Sequence, residues 1–166
     1  MKKLILEFPD LTNEWHPTKN GDLKPEEVAA FSNKKAWWLC HNGHSYEAVI
    51  ASRTGKSQSG CPYCSGRKAS KDNNLRVLFP KVAKEWHPTR NGELKPENVT
   101  PGSGKEIWWL CPKGHEYDAV IYSRTGKNPT GCPECSGQRV GKENNLKVLF
   151  PKIAKEWHPI KNGDLK

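Results

Sequence analysis

Trp37-Trp38-Leu39-Cys40-His41-Asn42-Gly43-His44 is followed, after sixteen residues, by Cys61-Pro62-Tyr63-Cys64. Two short-spaced donor pairs, Cys40 with His44 and Cys61 with Cys64, are what a tetrahedral Cys3His zinc site requires. The pattern returns as Cys111 with His115 and Cys132 with Cys135, each position displaced by 71 residues. Zinc takes thiolate and imidazole donors at about 2.0–2.3 Å, so each pair needs a tight turn that aims both ligands inward. Gly43 and Gly114 before the histidines, and Gly60 and Gly131 before the second pairs, are read as those turns. Pro62 and Pro133 fix the backbone between the paired cysteines.

Disulfides are the competing reading. Three cysteines per copy would leave one thiol over in each, or force a bridge between copies. The start, Met1-Lys2-Lys3-Leu4-Ile5-Leu6, is also far short of the roughly 7–15 apolar residues of a secretory signal. Zinc is therefore expected, one ion per copy. A catalytic cysteine has less support, because nothing groups a histidine and a third residue around one lone thiol.

The 71-residue step runs through the whole chain. Glu14-Trp15-His16-Pro17 recurs as Glu85-Trp86-His87-Pro88 and as Glu156-Trp157-His158-Pro159. Aligned without a gap, 9–79 and 80–150 agree at 43 of 71 positions, and a third copy stops after 16 residues. This is a tandem array. The expected modules are 1–79 and 80–150, with 151–166 a truncated third repeat that folds back as a cap on the second module. In that arrangement Trp157 is buried as Trp86 is at the seam between modules, since repeat arrays need covered ends.

Units of this size bury only about 60% of their unfolded surface and often need a staple. The composition agrees: 34% of the 166 residues are hydrophobic, yet seven are Trp. Mean hydropathy is −0.85, and no apolar run approaches the roughly 20 residues of a membrane span. An intracellular protein, cytoplasmic or nucleoid-associated, is expected. The 27 Lys and Arg against 18 Asp and Glu give +9. Six thiolates and two Zn²⁺ would bring this to +7, still strongly basic.

Around the ligands, 105–110 and 117–122 read as a hairpin turning at 112–114, with 36–39 and 46–50 its equivalent in the first copy. Residues 80–86 read as a short helix with Pro80 at its first position, ended by His87-Pro88. Asn20-Gly21, Asn91-Gly92 and Asn162-Gly163 mark turns. The fold class is small α+β zinc-stabilised modules, each a short helix, a hairpin and two knuckles. Strand alternation sends one ring of each Trp pair inward, and the helix is expected to cover the other. His41 becomes Pro112 in the second copy and is no shared ligand. His16, His87 and His158 are expected to pack or cap.

The combination Glu-Trp-His-Pro, Asn-Gly, Trp-Trp-x-Cys-x3-His, Ser-Arg-Thr and Gly-Cys-Pro-x-Cys over 9–166 resembles the "probable zinc-ribbon" tandem-repeat family. Some members of that family carry nuclease domains. The resemblance implies a zinc-ribbon or treble-clef-like fold, four metal ligands per module and a nucleic-acid-binding role. No nuclease domain is present here, so a nuclease would act in trans. The third copy lacks every ligand, and no third zinc is expected.

Basic balance, tandem array and one identical loop, 52–56 and 123–127, point to a nucleic-acid partner, DNA first. Arg53, Thr54, Lys56, Arg124, Thr125 and Lys127 are read as a phosphate clamp, extended by Arg67, Lys68 and Arg139 beyond the second knuckles. A protein-interaction or RNA-binding adaptor is the alternative. His41-Asn42-Gly43-His44 invites comparison with HNH nucleases, but the second copy reads Pro112-Lys113-Gly114-His115. Four protein ligands also close the metal's open position, so no catalytic activity is expected.

Overall fold

A computed structural model describes residues 3–158 and 160–163. Met1 and Lys2 of the basic start, Pro159 of the third Glu-Trp-His-Pro motif and residues 164–166 lie outside them. The chain divides into two compact units, Met1–Leu78 with Pro96–Thr100 and Phe79–Lys95 with Pro101–Lys166.

In the first unit, helical turns α1 (Leu4–Glu7) and α2 (Pro9–Thr12) are separated by Phe8, with φ −139° and ψ 64°. Proline disfavours helical backbone in the residue before it, so Phe8-Pro9 breaks what would otherwise be one helix. A 3₁₀ turn, Pro25–Glu27, leads to strand β1 (Lys35–Leu39). This pairs antiparallel with β2 (Ser45–Val49), Trp38 opposite Tyr46. Helix α3 (Ile50–Thr54) follows directly, and α4 (Leu75–Leu78) joins the unit by a Leu75 N–H bond to the Val99 carbonyl. Leu4 makes the same bond to Val28, so both complete copies dock a helical turn at one register.

The second unit repeats the plan with α5 (Pro80–Ala83), β3 (Glu106–Leu110), β4 (Glu116–Val120) and α6 (Ile121–Thr125), while the equivalent 3₁₀ turn, Pro96–Asn98, belongs to the first unit. Trp109 pairs opposite Tyr117. The sequence places both hairpins and the Pro80 helix start correctly. It misses α3 and α6, read as open loops: Ser-Arg-Thr sits inside each of these turns.

The core of the first unit gathers Leu4, Val28, Ala36, Trp38, Cys40, Tyr46, Ile50 and Cys61. Trp38 and Trp109 are wholly buried, each removing enough apolar area to favour folding by about 4–6 kcal/mol before entropy is counted. Trp15 meets Trp38 edge to face at 5.4 Å, and Trp86 meets Trp109 likewise at 5.8 Å. The outward rings are half-buried, and a cation covers them in place of the expected helix. Lys19 Nζ lies 4.5 Å from the Trp37 ring centre, and the Arg90 guanidinium 4.4 Å from that of Trp108.

The Glu-Trp-His segment makes an isolated antiparallel bridge on the outer edge of each hairpin, Trp15 to Trp38 and Trp86 to Trp109. His16 N–H bonds the Trp37 carbonyl at 3.0 Å and Leu39 N–H the Glu14 carbonyl at 2.7 Å. Beyond it the Asn20 side chain takes over, accepting from Trp37 N–H at 2.7 Å and donating to its carbonyl at 2.9 Å. Asn91 does the same for Trp108. The N–H and carbonyl groups of Trp37 and Trp108 on this edge are thereby paired, which leaves less of it open to another strand.

The third copy departs from its expected role. Helical turns α7 (Leu146–Leu149) and α8 (Pro151–Ala154) pack on each other, but Trp157 is 44% exposed. Trp86 packs on Trp109 within its own unit, so the ring belongs to the hairpin that follows it in sequence. No third Trp-Trp strand stands among the described residues to receive Trp157, and its expected burial is not found. Trp109→Ala should destabilise the zinc-loaded protein by about 3–5 kcal/mol, whereas Trp157→Ala should stay within about 0.5 kcal/mol. Urea unfolding of the two variants makes the comparison, and equal losses would show that Trp157 bears on the fold as Trp109 does.

Candidate metal centres

Each first knuckle is built at the turn of its hairpin. Cys40 N–H bonds the His44 carbonyl at 3.1 Å and Gly43 N–H bonds the Cys40 carbonyl at 2.8 Å. Gly43 and Gly114 hold φ at 76° and 84°, where a side chain is strained. The second knuckle differs from expectation: Gly60 and Gly131 have no left-handed backbone. The left-handed turns lie after the cysteine pair, at Gly66 and Gly137, with φ 73° and 75°.

These turns bring Cys40, His44, Cys61 and Cys64 together, and Cys111, His115, Cys132 and Cys135 in the second unit, donor atoms within 4.8 Å of one another. Finer distances test the fit. A tetrahedron with Zn–S about 2.3 Å and Zn–N about 2.0–2.1 Å has S···S edges of about 3.8 Å and S···N edges of about 3.5 Å. Cys40 and Cys64 sulfurs stand 3.7 Å apart, and His44 Nδ1 lies 3.5, 3.7 and 3.4 Å from Cys40, Cys61 and Cys64. In the second unit the S···S edge from Cys111 to Cys135 is 3.8 Å and the Nδ1 edges are 3.4, 3.6 and 3.3 Å. Both Cys3His sets fit one zinc ion each, with the imidazole bound through Nδ1. Zinc would supply a structural cross-link there, and all four positions are filled by protein.

Surrounding groups orient the ligands, and the sequence reading missed them. His44 Nε2 faces Asp72 at 3.6 Å, and His115 Nε2 faces Glu134 at 3.7 Å. These carboxylates are not equivalent by the 71-residue step, so the repeat comparison could not pair them. The Asn42 amide donates to Cys64 Sγ at 3.3 Å.

Without metal the thiols differ. Burial works to raise Cys40, but the backbone N–H groups of His44 and Asn42, aided by Cys64 and Cys61, bring it to about 7. At Cys61 burial outweighs the N–H groups of Cys64 and Tyr63 and pushes the thiol up to about 11. Cys61 therefore holds its proton at neutral pH until zinc displaces it, and zinc binding strengthens as pH rises.

The histidines of the Glu-Trp-His-Pro motif are caps. His16 Nδ1 accepts from the N–H groups of Thr18 and Lys19, both at 3.3 Å. His87 and His158 repeat the arrangement. With Nδ1 accepting, these rings cannot use it for metal.

The expected phosphate clamp is corrected by burial. Arg53 and Arg124 are 7% and 6% exposed. Arg53 donates to Glu14 at 2.8 Å and to the Tyr46 hydroxyl, over the Trp38 face at 5.1 Å. Arg124 does the same with Glu85, Tyr117 and Trp109. Burial raises the Tyr117 hydroxyl against the pull of Arg124, keeping it a neutral donor to Glu85. Thr54 and Thr125 are turned to the Ala30 and Pro101 carbonyls. A low-dielectric site needs a paired guanidinium: Arg53, Arg124 and Thr54 are buried, and the half-buried Thr125 spends its hydroxyl on a backbone carbonyl. Glu, Tyr and Arg recurring together in both copies was the available signal. Lys56, Arg67, Lys68, Lys127 and Arg139 are exposed.

Arg53→Ala strands the buried Tyr46 hydroxyl and the part-exposed Glu14 carboxylate and should cost about 2 kcal/mol. Arg53→Lys should not restore it, because an ammonium cannot reach both partners in a fork; denaturation curves decide both. The purified chain should carry two zinc ions by native mass spectrometry, and a chelator should unfold both units. Zinc added to the metal-free protein at pH 7 should release at least one proton per ion, read in a weakly buffered pH indicator assay. No proton release would refute the Cys61 assignment.

The family model described as "Probable Treble clef zinc finger domain" matches residues 11–67 and 82–138. No curated protein matches the chain, and among the described residues no helix is long and apolar enough to cross a membrane. With two matched repeats covering most of its length, and a Cys3His set fitted for zinc in each, the chain belongs to this treble clef zinc finger family.

Proposed function

We propose that the chain is a zinc-stapled nucleic-acid-binding module, with duplex DNA as its first partner and no catalysis of its own. The observation that carries this reading is the division of its cations. Arg53 and Arg124 are consumed in the fold, whereas Lys56, Arg67 and Lys68 in one repeat and Lys127 and Arg139 in the other stay exposed. None of these five enters an ion pair among the described residues. Lys56 corresponds to Lys127 and Lys68 to Arg139 at the 71-residue step, so each repeat presents a similar pair beside its zinc knuckle. Phosphate contacts of this kind position a protein on a duplex without reading sequence.

Four protein ligands at each zinc leave no position for an activated water, which supports a binding role rather than a hydrolytic one. The outer Trp37 and Trp108 rings are stacked with their own cations. Base stacking therefore forms no part of the proposal.

Five exposed cations predict a slope of log K against log[salt] of about −4 to −5 on B-form DNA. Lys56→Ala with Lys127→Ala should make that slope shallower by about two and leave zinc content unchanged. A fluorescence-anisotropy titration of the zinc-loaded chain against duplex DNA, single strands and duplex RNA measures both. Tighter binding to RNA would replace the DNA assignment. Absence of binding at low salt would overturn the proposal in favour of a protein-interaction adaptor.

A further inference from the structure

We propose that the two zinc centres are chemically inequivalent and that Asn42 sets the difference. Its amide shields the Cys64 thiolate, leaving Cys135 as the sulfur at which soft electrophiles attack and from which zinc is first lost.

Exposure is distributed alike in both sets. Cys40, Cys61, Cys111 and Cys132 are buried, while the last cysteine of each set, Cys64 or Cys135, is exposed. Reagents therefore meet these two sulfurs first. A zinc-bound thiolate still carries nucleophilic electron density, and an N–H donor draws part of it away through a charge-assisted hydrogen bond. Cys64 has such a donor in Asn42 Nδ2 at 3.3 Å. The equivalent position in the second repeat is Lys113. Among the described residues outside its ligand set, no side-chain N–H donates to Cys135.

The other surroundings are alike in charge. Between the paired cysteines the first repeat has Tyr63, whose ring lies 5.2 Å from that of His44, and the second has Glu134. A carboxylate stands beside each histidine, Asp72 at 3.6 Å from His44 Nε2 and Glu134 at 3.7 Å from His115 Nε2. The first centre thus loses electron density through Asn42, and the second has no such donor among the described residues. Asn42 is a positioning residue here: it acts through Cys64 and does not touch the metal.

Iodoacetamide makes the step concrete. The Cys135 sulfur attacks the methylene carbon, the carbon–iodine bond breaks and iodide leaves. The sulfur becomes a neutral thioether and its hold on zinc weakens.

The test treats the zinc-loaded full chain with limiting iodoacetamide in the presence of a chromogenic zinc chelator, followed by peptide mapping. Cys135 should be alkylated roughly fivefold faster than Cys64, the equivalent of about one hydrogen bond, and the first zinc equivalent should appear with Cys135 modification. Asn42→Ala should bring the Cys64 rate up towards that of Cys135. Lys113→Asn should slow Cys135. Native mass spectrometry confirms that each variant begins with two zinc ions. Equal rates at Cys64 and Cys135 in the unaltered chain would overturn the proposal. So would an unchanged Cys64 rate in zinc-loaded Asn42→Ala. If that variant fails to load, the Lys113→Asn rate decides: slowing of Cys135 supports the proposal and no slowing overturns it.

Discussion

Four donor atoms drawn within 4.8 Å of each other in each repeat are the constraint on which the rest of this molecule depends. The hairpins are two-stranded and the helices single turns, and neither element is stable alone in water. The zinc set ties the hairpin turn to a knuckle some twenty residues later, and metal-binding energy is then folding energy. Around that cross-link a small core suffices, centred on one wholly buried Trp in each repeat.

The Glu-Trp-His-Pro motif shows how closely the remaining sequence is used. Glu14 neutralises Arg53, Trp15 meets the edge of Trp38, and His16 caps the turn that brings Lys19 over Trp37. Three successive roles are discharged by local bonds and one ion pair whose guanidinium is buried. A pair of this kind adds little net stability over an apolar replacement, but removing one partner is costly, so the motif works only as a set. Seen in this light, the basic charge of the chain has two separate destinations. Part of it is buried to hold the hairpin, and the remainder is left in solvent beside the zinc knuckles.

Repetition does not make the units identical. Glu116 takes the place of Ser45, and faces both His87 and Arg90 where Ser45 accepts only from Lys19. Glu134 takes the place of Tyr63, and Lys113 that of Asn42. These changes cluster around the ligands without altering them. They act on orientation and charge, the quantities through which surrounding residues tune a metal. Among the described residues the opening of a third copy has a helical turn but no hairpin, and its apolar side chains remain exposed, with Ile153 at 54% and Trp157 at 44%.

The sequence by itself determined the repeat, the eight zinc ligands, both hairpins, the glycines of the first knuckles and that the motif histidines stand outside the metal sets. All of these rest on spacings of a few residues or on chemistry that few side chains share, so they can be read locally. The tertiary structure alone decided which cations are available. Arg53 looks like a surface residue among Ser, Thr, Gly and Lys, yet its carboxylate partner is 39 residues away and its aromatic shelf lies on another strand. It likewise decided that Trp157 stays exposed, because the ring that would receive it belongs to a hairpin the third copy does not contain. Burial of a charge or a ring depends on partners distant in sequence, and only the folded chain brings them within reach.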